Sequence, residues 1–189
     1  MKKRGNLLVV SGPAGVGKGT VLRSAFEKLD GMCYSISCTT REPRPNLDID
    51  GITYYFLTKE DFATRISQNC FLEYAVVHGN FYGTPRDKVL HDLNNGLDVV
   101  LEIDVQGALM VKQKMPDAKL IFFAPPSEEE LERRLRSRGT EDESTIKLRL
   151  KNARWEMNQI DKYDYKVVND SVTNATEKFI DIVKNIRRS

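Results

Sequence analysis

The segment LLVVSGPAGVGKGTVLRSAF, residues 7–26, decides the fold of this chain. It places a GxxxxGK glycine motif directly after a short apolar run, residues 7–10, and directly before residues 18–29, whose apolar side chains recur at helical spacing. Glycines in such a loop let backbone N–H groups surround an anion, the helix N-terminus adds partial positive charge, and the lysine neutralises the outer phosphates. The segment therefore predicts a loop that binds nucleoside triphosphate. Its predicted residues are Gly12, Pro13, Ala14, Gly15, Val16, Gly17, Lys18, Gly19 and Thr20.

One position of the loop departs from the usual motif. Gly19 follows the lysine, where a Ser or Thr hydroxyl normally reaches Mg²⁺. The nearest hydroxyl belongs to Thr20. We expect the phosphate loop to work and Mg²⁺ to be held with help from Thr20, water and phosphate oxygens.

Composition limits the class of protein. The 189 residues suffice for one well-filled core, and 29 Lys plus Arg against 27 Asp plus Glu give a formal charge of +2, which argues against nucleic-acid binding. Three cysteines without a CxxC spacing indicate neither a disulfide framework nor a zinc site. Because no apolar run is long enough for a signal peptide or a membrane span, we expect a cytoplasmic enzyme without membrane partners. Its oligomeric state stays open.

Apolar strands alternate with helical patterns, which predicts an α/β fold with a parallel sheet flanked by helices. We expect one domain with a core of about residues 1–33, 85–126 and 158–189. A small mixed α/β insertion, about residues 34–84, contains a helix at 59–67, and a charged helical segment, about residues 127–157, is predicted to be a lid. The predicted core strands are residues 7–10, 98–104, 118–124 and 165–169, and the remaining predicted helices are residues 106–114, 127–136, 143–160 and 173–186.

Polar side chains of the insertion suggest a second substrate. Two arginines, two phenols and a hydroxyl could surround a monophosphate, because a planar guanidinium binds phosphate oxygens bidentately. A solvated basic turn is the alternative for any one arginine. The residues concerned are Ser37, Arg41, Arg44, Tyr54 and Tyr82.

Further charged residues lie on the predicted sheet and lid. Glu102 and Asp104 are two apart and share one face of a strand, where they could act on Mg²⁺ or pair structurally with arginines. Arg134 and Arg138 are four apart on one helical face, and Arg149 lies on the next helix. A charged helix is usually just solvated, so the residues alone do not decide between these alternatives.

Eight further segments resemble the guanylate kinase family in its order and at nearly its spacings. They are SCTTREPR, DGITYYF, FLEYA, GNFYGTP, LEIDVQGA, FFAPPS, RLRSRGTE and VVND. The resemblance implies transfer of the γ-phosphoryl group of ATP to GMP, giving ADP and GDP with Mg²⁺ as cofactor, and it leaves the use of dGMP open.

The resemblance also implies residue roles. It assigns the GMP phosphate to Ser37, Arg41, Arg44, Tyr54 and Tyr82, and guanine to Glu73 and Thr84. From their position at the end of an apolar strand beside the loop, we assign Asp104 to the outer shell of Mg²⁺ and both Glu102 and Asp104 to the GMP side. The resemblance assigns the transferring phosphoryl group to Arg138 and Arg149, and the adenine side to Arg134 and Asn169. Because phosphoryl transfer needs positive charge around that group, we expect Lys18 and Arg44 to contribute as well. Guanine chemistry supports Glu73, because one carboxylate can accept from both N1–H and the exocyclic amine.

Two alternatives remain at this point. One is a phosphate-loop kinase for another monophosphate, against which Glu73 and Thr84 argue. The other is a guanylate-kinase-like module that binds a protein partner without catalysis, against which the intact glycine loop argues. A regulatory GTPase lacks support because no NKxD motif is present. The segment PNLDID, residues 45–50, departs from the family pattern by one extra residue and lacks its Gly-Glu pair, so we expect an altered turn there.

Overall fold

The computed structural model describes residues 3–77, 79–137 and 142–189. The described chain folds into nine strands, seven α-helices and one 3₁₀ turn at Ile160–Lys162. In chain order they are β1 Leu7–Ser11, α1 Lys18–Lys28, β2 Met32–Tyr34, β3 Cys38–Thr39, β4 Tyr55–Phe56, α2 Lys59–Ser67, β5 Phe71–Val77, β6 Asn80–Pro85, α3 Arg86–Asn94, β7 Asp98–Glu102, α4 Val105–Lys114, β8 Lys119–Ala124, α5 Glu128–Ser137, α6 Glu143–Met157, β9 Tyr165–Val168 and α7 Val172–Arg188.

Five strands form a parallel sheet in the order β2-β7-β1-β8-β9. Strand β1 lies in the middle and is buried on both faces, which explains its continuous apolar run. Leu8 and Val10 pack with α1 and α7, whereas Leu7 and Val9 pack with α3 and α4. The predicted α/β fold, a parallel sheet covered by helices on both sides, is confirmed.

A second sheet of four short strands, in the order β4-β3-β6-β5, holds the insertion together. Cys38 and two phenylalanines of α2 and β5, Phe62 and Phe71, form its small core. The two phenylalanine rings stack with centroids 4.5 Å apart. The insertion therefore has apolar contacts of its own that are separate from those of the parallel sheet.

Helices α5 and α6 pack against each other through a separate apolar cluster. Leu131 and Leu135 come from α5, and Ile146, Leu150 and Ala153 come from α6. The two helices thus stabilise each other despite their highly charged outer faces. Among the described residues, no helix combines the length and the apolar character that crossing a membrane requires.

The structure differs from the predicted elements in four main places. The strand predicted for residues 98–104 ends at Glu102, so Asp104 caps α4 and does not share a strand face with Glu102. Strand β2 joins the parallel sheet beside β7, although its three residues carry no periodic pattern. Helix α3 was not predicted, because only Val89 and Leu93 of its polar sequence are buried. The helix predicted for residues 143–160 ends at Met157, and a 3₁₀ turn follows.

Candidate active site

The glycine loop connects the carboxyl end of β1 to the N-terminus of α1. Gly12, Gly15 and Gly17 have φ values of 140°, 84° and 95°, which favour glycine, and Gly17 caps α1. The Lys18 ammonium folds back over the loop and donates to the carbonyl of Gly12 at 2.6 Å and to that of Pro13 at 3.3 Å. The loop therefore encloses the start of the helix, where positive electrostatic potential is expected.

Neighbouring strands approach this loop so closely that side chains are excluded. A Cβ atom on Gly12 would lie 2.1 Å from the carbonyl oxygen of Phe123, on β8. One on Gly17 would lie 2.5 Å from Nδ2 of Asn169, which follows β9. The carboxyl ends of three adjacent strands thus hold the loop in place.

Asn169 and Arg134 meet at the back of the loop. Nδ2 of Asn169 donates to the Val16 carbonyl at 2.7 Å, and the Arg134 guanidinium donates to the carbonyls of Asn169 at 3.0 Å and Val16 at 3.3 Å. Oδ1 of Asn169 is buried without a hydrogen-bond partner among the described residues. These two side chains, with Gly15, Gly17 and Thr20, line a cavity of ≈ 470 Å³.

A second cavity of ≈ 360 Å³ opens directly over the loop. Arg149 reaches it from α6, although the residue lies far from the loop in the sequence. Glu102 reaches it from the end of β7, and its Oε2 lies 3.5 Å from the position of a Cβ on Gly19. The other lining residues are Ala14, Gly15, Gly17, Lys18, Gly19, Thr20 and Arg23.

A third cavity of ≈ 320 Å³ lies between the parallel sheet and the insertion. Ser37, Tyr54 and Thr84 line it from the insertion, and Glu102 lines it from the sheet. Glu102 therefore borders both this cavity and the one over the glycine loop. Two bound molecules would meet near this carboxylate.

Glu73 and Thr84 lie on the neighbouring strands β5 and β6 and form a buried pair. The Thr84 hydroxyl donates to Oε1 of Glu73 at 2.5 Å, and Glu73 is only 7% exposed. Burial raises the pKa of the Glu73 carboxyl, the hydrogen bond from Thr84 opposes that shift, and the nearby charge of Asp104 adds to it. Glu73 is therefore a buried acceptor, held in one orientation, beside a residue that lines the cavity.

Asp104 serves first as the N-cap of α4. Its Oδ1 accepts a hydrogen bond of 2.7 Å from the backbone N–H of Gly107. It does not appear among the residues that line the cavity over the loop, whereas Glu102 does. Its carboxylate nevertheless contributes negative charge near Glu73 and Glu156.

The two arginines predicted to bind a monophosphate lie in one cluster. The Arg41 guanidinium is 5.5 Å from the centroid of the Tyr54 ring, and the Tyr54 and Tyr82 rings meet edge to face at 5.8 Å. Both Arg41 and Arg44 form an ion pair with Asp48. The structure thus brings the two arginines and two phenols together around an acidic residue.

The comparisons with known proteins identify the family. A family model described as guanylate kinase matches residues 4–186. The chain belongs to the guanylate kinase family. Among its relatives, guanylate kinase of Caldanaerobacter subterraneus subsp. tengcongensis is 49% identical over 97% of this chain and 88% of its own length, and that of Clostridium perfringens is 50% identical over 93% and 81%.

A solved structure agrees with this membership in the guanylate kinase family. The crystal structure of guanylate kinase from Anaplasma phagocytophilum aligns with a TM-score of 0.77 and 32% identity, covering 100% of this chain and 89% of that one. The family predicted from the sequence is confirmed. The chain is accordingly a nucleoside monophosphate kinase.

Within this guanylate kinase fold, the predicted residues fall into three groups. The first group consists of the loop residues with Arg134 and Asn169, which line the cavity behind the glycine loop. Arg149 belongs to the same group and lines the cavity over the loop. The second group lines the cavity at the insertion and consists of Ser37, Tyr54, Thr84 and Glu102, with Glu73 hydrogen-bonded to Thr84. The third group consists of Arg41 and Arg44, which both pair with Asp48, and of the nearby phenols of Tyr54 and Tyr82. Arg138 lies outside the described residues.

Three residues beside the glycine-loop cavity or in the arginine cluster were not predicted from the sequence. Arg23 lines the cavity over the loop and donates to the Thr20 hydroxyl at 3.3 Å, a pairing that the i, i+3 helical spacing could have indicated. Glu156 of α6 is half-buried near Lys18, and burial raises the pKa of its carboxyl. Asp48 joins the arginine cluster, and its only signal was the altered turn at residues 45–50.

Proposed function

We propose that the protein transfers the γ-phosphoryl group of ATP to GMP, giving ADP and GDP, with Mg²⁺ as cofactor. The observation that carries the proposal is the position of Glu102 at the border of two cavities. One cavity contains the glycine loop, and the other contains the polar residues of the insertion. Two nucleotides that enter from opposite sides would therefore meet phosphate to phosphate.

ATP occupies the glycine-loop side in this proposal. Backbone N–H groups of residues 14–20 surround its phosphates, and Lys18 supplies the positive charge. Arg134 and Asn169 border the cavity behind the loop, which suits an adenine ring.

GMP occupies the insertion side. Ser37, Arg41, Arg44, Tyr54 and Tyr82 bind its phosphate in this proposal. Glu73 accepts from the N1–H and the exocyclic amine of guanine, and Thr84 donates to O6. Because the Thr84 hydroxyl already donates to Glu73, guanine binding requires that hydroxyl to turn.

The phosphate oxygen of GMP that attacks ATP is already ionised at neutral pH, so no general base has to create the nucleophile. Catalysis then comes from alignment of the two phosphates and from positive charge placed around the transferring group. Lys18, Arg44, Arg138 and Arg149 supply that charge in this proposal. Arg149 already lines the cavity over the loop.

The oxygen donors of the loop cavity fit Mg²⁺. The Thr20 hydroxyl and the Glu102 carboxylate line it together, and Mg²⁺ prefers oxygen ligands while keeping several waters. We propose that Thr20 contacts the ion and that Asp104, which is not among the described residues that line this cavity, acts on it through water in its outer shell, while Glu102 borders the same cavity. When bound, Mg²⁺ would neutralise charge on the phosphates of ATP.

The insertion at about residues 34–84 and the lid at about residues 127–157 should close before transfer, because water that enters the site would hydrolyse ATP. Residues from both segments, Arg44 and Arg149, must converge on one phosphoryl group. Each segment has its own apolar cluster, so we expect each to move as a unit. We place the protein in the cytoplasm, where its three cysteines, all free in the structure, stay reduced.

A coupled assay of ADP formation tests the proposed function. ATP is supplied with GMP, AMP, UMP or CMP in parallel, and GMP should be the preferred acceptor. Faster ADP formation with another monophosphate would point to a kinase of different specificity. Absence of ADP formation with all four would favour a module that binds a protein partner.

Replacing Arg134 with methionine tests the adenine side. The change removes the donors to the Val16 and Asn169 carbonyls, so we expect the KM for ATP to rise roughly tenfold while the KM for GMP stays the same. Arg136→Met is the matched control, because Arg136 lies on the same helix, also pairs with glutamates and is not among the described residues that line this cavity. Equal effects of the two changes on the KM for ATP would contradict the assignment.

A further inference from the structure

Asp48 lies at the centre of the arginine cluster and takes up its hydrogen-bond donors. Its Oδ2 accepts from Nη2 of Arg41 at 2.8 Å, and from Nε and the backbone N–H of Arg44 at 3.0 and 2.7 Å. Its Oδ1 accepts from Nη2 of Arg44 at 3.0 Å. Although the surrounding turn is exposed, the Asp48 side chain has 0% exposure, so the two arginines and the turn enclose the carboxylate completely.

A bound phosphate would accept hydrogen bonds from the same arrangement of donors. Nε and Nη2 of Arg44 form a parallel fork on the two oxygens of Asp48, and such a fork binds carboxylate and phosphate in the same way. Arg41 adds a donor from the other side. The same N–H groups cannot serve Asp48 and a bound phosphate at once.

The turn that carries Asp48 does not depend on its carboxylate alone. The backbone N–H groups of Leu47 and Asp48 both donate to the Arg44 carbonyl, at 3.2 and 3.1 Å, and Asn46 adopts a φ of 62°. These contacts place residue 48 one turn after Arg44. Removal of the negative charge therefore leaves the backbone contacts of the turn in place.

We propose that Asp48 is an internal anion that occupies the phosphate subsite of GMP and that the phosphate of GMP must displace it. The proposal rests on the proposed function of Arg41 and Arg44. A phosphate monoester carries up to two charges and three acceptor oxygens, whereas Asp48 carries one charge and two oxygens. The displacement thus favours a phosphate monoester over nucleosides and over weakly charged anions.

The surroundings keep Asp48 ionised until it is displaced. The Arg44 and Arg41 guanidinium groups hold the pKa of its carboxyl well below the usual range. The groups that face the cluster from other segments are the phenols of Tyr54 and Tyr82. Without Asp48, two neighbouring guanidinium groups would repel each other, so the carboxylate also holds them side by side.

Competition with the phosphate and orientation of the arginines predict opposite changes in GMP affinity when Asp48 is neutralised. If Asp48 competes with the phosphate, its neutralisation strengthens GMP binding. If Asp48 serves only to orient the arginines, its neutralisation weakens GMP binding. The affinity of an Asp48→Asn protein for GMP therefore decides between competition and orientation.

The test is calorimetric titration of the full chain with GMP and with guanosine, which lacks the phosphate. We expect Asp48→Asn to lower the dissociation constant of GMP by about three- to tenfold and to leave that of guanosine unchanged. Asp48→Glu, which restores the charge, should bring GMP affinity back toward that of the wild type. Glu42→Gln is the matched control, because Glu42 carries the same charge in the same segment and, among the described residues, its contact with the cluster is made by the backbone carbonyl, 2.8 Å from Nη1 of Arg41.

Unchanged or weaker GMP binding by Asp48→Asn, with guanosine binding and thermal unfolding like those of the wild type, would overturn the proposal. An equal gain of GMP affinity in Glu42→Gln would overturn it as well, because the effect would then be one of net charge. A wild type that binds GMP no better than guanosine would instead overturn the phosphate role of Arg41 and Arg44, and thus the proposed function on which this inference rests.

Discussion

Lys18→Met is expected to lower kcat by roughly 10³-fold while the protein stays folded. The ammonium of Lys18 lies over the glycine loop, and in our proposal it stabilises the negative charge that is shared by the transferring phosphoryl group and the leaving ADP. Methionine fills a similar volume without that charge. In the structure the ammonium donates to two loop carbonyls, so we expect its loss to cost little stability.

The measurement is the steady-state rate of ADP formation at saturating ATP and GMP, together with the midpoint of thermal unfolding. Lys28→Met is the matched control, because Lys28 lies in the last turn of the same helix and is exposed. It should keep both the wild-type rate and the wild-type midpoint. A folded Lys18→Met protein with normal turnover would refute the phosphate-loop assignment.

Glu73→Gln is expected to lower kcat/KM for GMP by at least about tenfold and to narrow the preference for GMP over AMP. The glutamine amide replaces an acceptor oxygen with a donor, which would face an N–H group of guanine and leave it without a partner. AMP should lose less, because the amide can donate to N1 of adenine. Since burial already raises the pKa of Glu73, a neutral glutamine there should not lower the free energy of unfolding.

The ratio of kcat/KM values for GMP and AMP is measured at saturating ATP in the wild type and in Glu73→Gln. A change in this ratio would show that Glu73 recognises the base. Glu60→Gln, an exposed acid at the start of α2, removes one charge from the same insertion and should leave the ratio unchanged. If Glu73→Gln lowers both efficiencies by the same factor, the carboxylate supports the fold and other residues recognise guanine.

Much of the fold could be predicted because its signals are local. The strand at residues 7–10, the glycine loop and α1 follow one another directly, so their order alone indicates a phosphate site. Helix α2 was predicted with its observed bounds, since Thr58 caps it and acidic residues fill its first turn. The carboxyl ends of parallel strands share one edge of a sheet, which made the region around Glu102 a candidate before its geometry was known.

Segments with weak local signals could not be assigned. Strand β2 has three residues, none fully buried, and is fixed by pairing with β7, which lies 66 residues further along the chain. Helix α3 is largely polar, and its assignment depends on Val89 and Leu93 facing the sheet. In both cases the stabilising contact comes from a distant part of the chain.

The sequence by itself determined the family, the parallel sheet and the glycine loop, because each depends on residue types at fixed spacings along the chain. Only the tertiary structure decided that Glu102 borders two cavities, that Thr84 donates to Glu73 and that Asp48 sits between two arginines. These three features depend on how strands and turns are brought together in space. Charged and polar side chains carry no periodic signal that names their partners, so their pairing is fixed only when the backbone is folded.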